Sequence, residues 1–234
     1  MTMLRIFGDS HAALLRTAAA RLRPPPPPME FQHCHGWNWV EFTLSMREGR
    51  PHCHADRVPG SPALDHTLGP PQALHVFSSP LHSAVVVRDA AWRRFCPWDR
   101  AAANPTLTPV SDAALEAWFT QLLACRFALI RELRRLGYRL AVVEPPRPLP
   151  QLPALFTLRP DVIRAVDQRY RDHVRGWLAA EGVPVIGVPE ASIGPDGFTT
   201  PAYASPDPQD PHHGSAAFAS EMLARILAFA ATQD

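Results

Sequence analysis

Short runs of consecutive apolar residues alternate with longer amphipathic stretches along most of the chain. The clearest of these runs are residues 4–7, 73–77, 138–143 and 183–188, which are apolar except for at most one charged or histidine side chain each, and part of 29–44 has the same character. Runs of this length that are apolar throughout are typical of strands buried on both faces of a parallel sheet. We therefore predict a strand at each of these places.

The stretches between these runs carry the signals of helices. Residues 12–22 are rich in strong helix formers and stop at a run of five prolines. Ser111 is placed to cap a helix that ends near Gly137, and Gly182 follows a helix that begins at Pro160. A last helix is predicted over 214–231.

Alternating strands and helices predict a single α/β domain over residues 1–234, a three-layer αβα sandwich with a mostly parallel, flavodoxin-like central sheet. Residues 45–72 and 81–109 lack clear periodicity and are predicted as irregular insertions, with 83–87 as a further candidate strand. Ligands of such sheets bind beyond the carboxyl ends of the strands. Ser10, Gly36, Ser78 and residues 144–147 follow predicted strands, so we expect them to share one rim.

Composition narrows the class of protein. Of 234 residues, 46% are hydrophobic and 19% charged, and the net charge is +1, so we expect a globular chain with neither nucleic-acid binding nor membrane insertion. The sequence shows no secretory pattern and no apolar run long enough to span a bilayer. The four cysteines form no CxxC pair, which favours reduced thiols in a cytoplasmic protein, although two disulfides remain an alternative.

Candidate chemistry lies at the two ends of the chain. Ser10 follows Gly8 and Asp9 at a predicted strand-to-helix turn, and Asp210 stands three residues before His213 in a proline-rich loop. A serine hydroxyl becomes a nucleophile when an imidazole takes its proton and a carboxylate orients that imidazole. Local spacing alone favours a helix-capping role for residues 9 and 10. A second register, Asp207 with His212, does not keep the three-residue step.

Taken together, the two end segments resemble the SGNH (GDSL-type) hydrolase superfamily. Gly8-Asp9-Ser10 matches the family's Gly-Asp-Ser turn, and Asp210 and His213 match its Asp-x-x-His block before the last helix. The resemblance implies Ser10 as nucleophile, His213 as base and Asp210 as its orienting partner. It also implies hydrolysis of a small-molecule ester through an acyl-enzyme, with no metal or organic cofactor. Small acyl or O-acetyl esters, including those on carbohydrate, are the default substrates; the oligomeric state stays open.

The resemblance is less complete for the oxyanion hole. The family places a glycine after its second strand, matched in position by Gly36, and an asparagine after its third strand, which this chain lacks. His82, Ser79 and Asn38 are the candidates for the missing donor, and a hole with two members is the alternative. Loss of one such donor typically costs about 10²–10³ in turnover.

Two other functions compete with the esterase. The first is a catalytically weak or inactive ligand-binding protein on the same scaffold, because the asparagine is missing. The second is a metal-dependent hydrolase that uses the segments His33-Cys34-His35 and His52-Cys53-His54, since zinc accepts nitrogen and sulfur ligands. No HExxH signature accompanies these segments, so we expect no metal. Three arginines near Trp92 and Trp98 are candidates to hold an anionic or sugar substrate, although a solvated face is favoured: Arg88, Arg93 and Arg94.

Overall fold

The structure is a computed structural model that describes residues 3–24, 27–33, 42–55, 63–78 and 80–233. The strands are β1 (Leu4–Gly8), β2 (Met29–His33), β3 (Thr43–Arg47), β4 (Arg50–Ala55), β5 (Leu64–Thr67), β6 (Leu74–Phe77), β7 (Phe95–Pro97), β8 (Thr108–Val110), β9 (Arg139–Val143) and β10 (Val185–Ile186). The α-helices are α1 (Ser10–Ala19), α2 (Ala84–Val87), α3 (Asp112–Arg135), α4 (Leu152–Phe156), α5 (Pro160–Ala180) and α6 (Ala216–Ala231).

The central sheet has five parallel strands in the order β10-β9-β6-β1-β2. Numbered within this sheet alone, the order is 2-1-3-4-5, which is the flavodoxin-like arrangement. The predicted α/β fold class is therefore confirmed. The strand order reverses between β1 and β6, so the crevice at this switch point is where the fold offers a ligand site.

Helices cover both faces of the sheet. On one face, Ile6 and Val76 belong to a cluster of buried apolar side chains with residues of α1 and α6. On the opposite face, Phe7 and Phe77 join the cluster that contains the buried sides of α3 and α5. Neighbouring residues of one strand thus point into different layers, as the alternation of side chains along a strand requires. Because both faces of the sheet are covered by helices, apolar residues are favoured at successive positions of its inner strands.

The prediction of an irregular loop over residues 45–72 is wrong for the part that the structure describes. β3, β4 and β5 form an antiparallel three-stranded sheet there. Its strands mix polar and apolar residues, and β3 is largely exposed, so the apolar runs that identify the central strands are missing. Glu48 and Gly49 both have positive φ, 51° and 73°, and join β3 to β4 by a tight hairpin turn.

Residues 81–109 also contain regular structure. The candidate strand at 83–87 is instead the short helix α2, and two 3₁₀ turns, Ala90–Arg93 and Trp98–Arg100, alternate with the parallel pair β7 and β8. Val86 and Val87 are buried in α2, where packing outweighs the strand preference of β-branched residues. The region is an ordered extension of the core on the side of α5.

Helix α3 corrects a further expectation. By length and composition alone it is apolar enough to cross a membrane, contrary to the sequence prediction that no segment is. In the fold, one side of it is buried in the core, including Leu115, Phe119 and Leu123. A core helix of this kind passes the same test as a membrane span.

A buried polar network fixes two loops at the rim of the sheet. Arg171 of α5 is fully buried and donates to Asp167 and to the carbonyl oxygen of Pro145, which follows β9. Asp167 also accepts the hydroxyl of Ser83, in the loop after β6. A buried charge needs partners of this kind, since an unpaired one costs several kcal/mol. The loops after β6 and β9 are therefore tied to α5.

Candidate active site

Ser10 is the first residue of α1 and lies at the carboxyl end of β1, at the switch point of the sheet. The backbone approaches closely here, because a Cβ on Gly8 would collide with the hydroxyl of Ser78 at the end of β6. Asp9 is the N-cap of α1, and its Oδ1 accepts the backbone N–H of His11 at 3.0 Å. Asp9 therefore caps the helix, as the local spacing predicts, while the side chain of Ser10 takes no part in the cap.

The C-terminal loop brings an imidazole to the Ser10 hydroxyl. His213 Nε2 lies 2.6 Å from Ser10 Oγ, although 203 positions separate the two residues. Its Nδ1 lies 2.9 Å from Oδ2 and 3.0 Å from Oδ1 of Asp210. The predicted nucleophile, base and orienting carboxylate are therefore linked in one chain of hydrogen bonds.

Local hydrogen bonds hold this loop in place. Asp210 Oδ1 accepts the backbone N–H groups of both His212 and His213 at 3.0 Å. Gln151 donates from Nε2 to the carbonyl oxygen of Asp210 at 2.8 Å, and Ser215 caps α6 immediately after the loop. The carboxylate is thus oriented from the backbone side while its other oxygen faces the imidazole.

The environment favours a charged Asp210 and a neutral His213. Burial alone would raise the pKa of Asp210, but the two backbone N–H donors and the nearby His213 lower it to about 2. Burial, and then the charge of His11, lowers the pKa of His213, and Asp210 offsets only part of that effect. A neutral imidazole with its Nδ1–H directed to a carboxylate leaves the Nε2 lone pair for the serine proton.

A second carboxylate–imidazole pair lies beside the first. Asp9 Oδ2 is 2.7 Å from His82 Nδ1, while its Oδ1 is 3.2 Å from both His11 Nδ1 and Ser78 Oγ. Burial alone would raise the pKa of Asp9, but the contacts with His82 and His11 hold it well below its ordinary value. Because a carboxylate only accepts, His82 donates from Nδ1. Its Nε2 is then a buried acceptor, without a hydrogen-bond partner among the described residues.

Four histidines form a cluster around these two pairs. The ring centroids of His11 and His82 are 4.5 Å apart, those of His82 and His212 are 5.3 Å apart, and those of His212 and His213 are 4.0 Å apart. Burial lowers the pKa of His82 to about 4 despite the opposing effect of Asp9. Burial and the neighbouring histidines lower the pKa of His212 to about 2.

This cluster predicts a loss of stability in mild acid. His82 faces Asp9, His11, His212 and Arg88, and its pKa of about 4 lies below the value of about 6.5 for an unfolded chain. The unfolded state therefore binds more protons as the pH falls from 6.5 towards 4, and the free energy of unfolding decreases. We expect a contribution from this ring on the order of 2 kcal/mol between pH 7 and 4.5.

Urea unfolding at the two pH values measures this effect, and His82→Asn is the comparison. The variant loses less stability on acidification than the parent chain, because it removes a ring that resists protonation. Equal losses in both proteins would show that His82 does not control the acid response.

The other predicted residues are placed as follows. Gly36, Asn38 and Ser79 lie outside the described residues, so their contribution to an oxyanion hole stays a prediction. The alternative register is not formed: Asp207 accepts the backbone N–H of Gln209 at 2.9 Å, and the carboxylate nearest to His212 is that of Asp210. Sequence reasoning missed the contacts of Asp9 with His82, His11 and Ser78, since it predicts Asp9 as a helix cap and His82 as a candidate oxyanion donor.

The arginines proposed for substrate binding have different surroundings. Arg93 donates twice to the carbonyl oxygen of Phe156, and Arg94 lies over the ring of Phe95. Arg88 donates from Nε to the carbonyl oxygen of Ala84. Burial lowers the pKa of Arg88, while the charge of Asp210 opposes that shift. Of the three, Arg88 is therefore the one whose charge reaches the site.

The fold defines a class before any relative is considered: a flavodoxin-like α/β sandwich with polar groups at its switch point. A solved structure superimposes on 99% of this chain and 96% of its own, with a TM-score of 0.53 and 15% identity, which shows the fold alone.

Two other solved structures superimpose less closely on this chain, and their similarity does not indicate its activity. One is with a member of the lipolytic protein G-D-S-L family from Veillonella parvula, with a TM-score of 0.43, 9% identity and 97% of each chain covered. The other is with an α/β hydrolase enzyme from the metagenome of Lake Arreo, Spain, with a TM-score of 0.40 and 14% identity, covering 100% of this chain and 96% of that one. No protein-family model matches the chain, and no curated protein sequence matches it significantly.

Proposed function

We propose that this protein is an SGNH-type serine esterase that forms an acyl-enzyme on Ser10. The observation that carries the proposal is the distance of 2.6 Å between Ser10 Oγ and His213 Nε2, with Asp210 on the other ring nitrogen. A nucleophile, a base within hydrogen-bond reach and a group that orients the base are the arrangement that acyl transfer needs.

In the proposed reaction, Ser10 Oγ attacks the ester carbonyl carbon while its proton passes to His213 Nε2. The imidazolium is stabilised by Asp210 and then protonates the departing alcohol, which leaves an acyl group on Ser10. Water, deprotonated by the same imidazole, attacks the acyl carbon and releases the carboxylic acid. Ser10 begins α1, so the positive end of the helix dipole favours the developing oxyanion.

The remaining oxyanion donors follow from the resemblance to SGNH hydrolases. The backbone N–H groups of Ser10 and Gly36 would supply two of them. His82 stands after the third strand of the central sheet, where the family has its asparagine, but its Nδ1–H is directed to Asp9. The ring then offers an acceptor instead of a donor at Nε2.

That observation favours a second candidate function, a protein on this scaffold with weak turnover. In this case the nucleophile is activated but the tetrahedral intermediate is poorly stabilised. Stopped-flow hydrolysis of p-nitrophenyl acetate distinguishes the two. An efficient esterase turns over continuously, whereas a weak one releases one equivalent of p-nitrophenol or less before a slow steady state.

A fluorophosphonate probe tests the nucleophile directly. We expect covalent labelling of Ser10, located by peptide mapping, because the probe reacts with a serine that an adjacent imidazole activates. His213→Ala removes that base and should abolish labelling on the same timescale. Ser220→Ala, which changes an exposed serine of α6, is the matched control and should label normally. Absence of labelling in the parent chain, or labelling at another serine, would contradict the proposal.

A further inference from the structure

Away from the Ser10 site, the antiparallel sheet of β3, β4 and β5 carries a second group of polar side chains. His52 and His54 are two residues apart on β4, so their side chains leave the same face of the strand. Asp65 of β5 is the direct cross-strand neighbour of His54, and Thr67 is that of His52. Two imidazoles and a carboxylate thus occupy adjacent positions on one face.

The ligating atoms of this group are close enough to share one ion. One nitrogen each of His52 and His54 and one carboxylate oxygen of Asp65 lie within 4.8 Å of one another. The two imidazole rings are nearly parallel, with an interplanar angle of 17° and centroids 6.5 Å apart. His54 and Asp65 are exposed and His52 is buried, so an ion could enter from solvent and rest on the buried ring.

His52 is the residue that points to a ligand. Its side chain is only 4% exposed, and its Nε2 lies 3.0 Å from Asp65 Oδ1. The two atoms face each other at ion-pair distance, but not in the geometry of a hydrogen bond. A buried ring nitrogen that faces a carboxylate oxygen at this distance is placed to share a cation with it.

The other nitrogen of the same ring is already engaged. His52 Nδ1 lies 3.0 Å from Thr67 Oγ1. Without an ion, the hydroxyl can donate to Nδ1 while Nε2–H faces the Asp65 carboxylate, and metal binding selects the other tautomer, in which Nδ1–H donates to the hydroxyl. A cation bound between Nε2 and Asp65 Oδ1 then takes the place of the ring proton. A histidine whose second nitrogen is fixed by a hydrogen bond is also the usual form of a metal ligand.

We propose that His52, His54 and Asp65 bind one divalent metal ion, Zn²⁺ or an ion with similar ligand preferences. Two imidazole nitrogens and one carboxylate oxygen are a ligand set that zinc accepts, with water completing a tetrahedral site. The ion joins β4 to β5 and leaves the chemistry at Ser10 unchanged. It therefore differs from the metal-dependent hydrolase considered from the sequence, in which the metal performs the reaction.

One interaction competes with the ion. Arg47 Nη1 lies 3.0 Å from Asp65 Oδ1, and both side chains are more than half exposed. An exposed ion pair of this kind contributes little stability. The ion displaces the guanidinium or takes the second carboxylate oxygen. Removing Arg47 should therefore tighten metal binding. If Arg47 instead helped to form the site, its removal would weaken binding.

Binding of the metal ion should raise the stability of the whole protein, because the sheet of β3, β4 and β5 packs against the core. His66, between Asp65 and Thr67, stacks on Phe7 of β1 with ring centroids 5.0 Å apart. An ion that binds only the folded state raises its stability in proportion to the logarithm of ion concentration. We expect the melting temperature of the chelator-treated protein to rise as Zn²⁺ is added.

The experiment uses the full chain, freed of metal by a chelator, and titrates Zn²⁺ against a chromophoric competitor. Co²⁺ serves as a spectroscopic probe, with the intense visible absorption of a tetrahedral site. His54→Ala and Asp65→Asn each weaken binding at least about 100-fold, and Thr67→Val weakens it about 10–100-fold through the orientation of His52. Arg47→Gln binds at least as tightly as the parent chain.

A control variant separates this site from the histidine cluster around Ser10. His212→Ala should keep the tight site, because His212 lies in the C-terminal loop. Tight binding that survives His54→Ala and disappears in His212→Ala would overturn the proposal, as would the lack of any Zn²⁺ binding by the parent chain. Failure of the esterase assignment would leave these results unchanged, because neither the titration nor the cobalt spectrum depends on hydrolysis.

Discussion

Replacing Ser10 with alanine should lower ester hydrolysis at least about 10³-fold while the fold stays intact. The hydroxyl is the group that His213 Nε2 contacts at 2.6 Å, so its removal eliminates the proposed attacking atom. Asp9 remains as the N-cap of α1, and alanine is a good residue in the first helical turn. The measurement is kcat/KM for a small acyl ester, with circular dichroism and thermal melting on the same samples.

Ser220→Ala is the control for this prediction, because it makes the same chemical change at an exposed position of α6. It should keep the parent rate. If Ser10→Ala retained the parent rate as well, the assignment of the nucleophile would be rejected. If Ser10→Ala lost activity because it unfolded, the experiment would be repeated with Ser10→Cys. This variant keeps a nucleophile of similar size.

The two ends of the proposed active site were predictable because each is a short linear segment. Gly8, Asp9 and Ser10 are consecutive, and Asp210 contacts a residue only three positions away, His213. Contacts of such short range depend on local backbone geometry, which a sequence segment largely determines. The α/β order of the central sheet was predictable for a related reason: its inner strands β1, β6 and β9 are largely buried on both faces and therefore mostly apolar.

The second pair of the site could not be predicted in the same way. Asp9 and His82 are 73 positions apart, and the sequence predicts separate roles for them, a helix cap and a candidate oxyanion donor. Their contact depends on the adjacent placement of β1 and β6, which is a property of the folded sheet. A carboxylate after one strand and an imidazole after its neighbour form a signal only once the strand order is known.

The sheet of β3, β4 and β5 was missed for a different physical reason. One of its strands, β3, is largely exposed, and Pro51 stands inside β4, where a proline argues against a strand. The hairpin turn at Glu48 and Gly49 uses positive φ at both residues, a conformation for which Asn-Gly or Asp-Gly is the usual signal. Cross-strand pairing and packing therefore form this sheet against weak local preferences.

Two aspartates at this site each contact an imidazole, yet they should differ sharply in their effect on turnover. Asp210→Asn should lower kcat by about 10³–10⁴ with little change in KM, because an amide no longer holds the tautomer in which His213 Nε2 accepts the serine proton. Asp9→Asn leaves that orientation intact, since Asp9 contacts His82 and His11. Its main expected effect is a lower melting temperature, from the loss of a buried, multiply bonded carboxylate.

The comparison of these two variants identifies which carboxylate–imidazole pair serves the proposed chemistry. The distances favour the C-terminal pair, because His213 contacts Ser10 and His82 contacts Asp9. Steady-state kinetics and thermal melting on both proteins give kcat, KM and stability. If Asp9→Asn lost turnover as severely as Asp210→Asn at unchanged stability, His82 would have to act on the reacting atoms. The base would then have to be reassigned to His82.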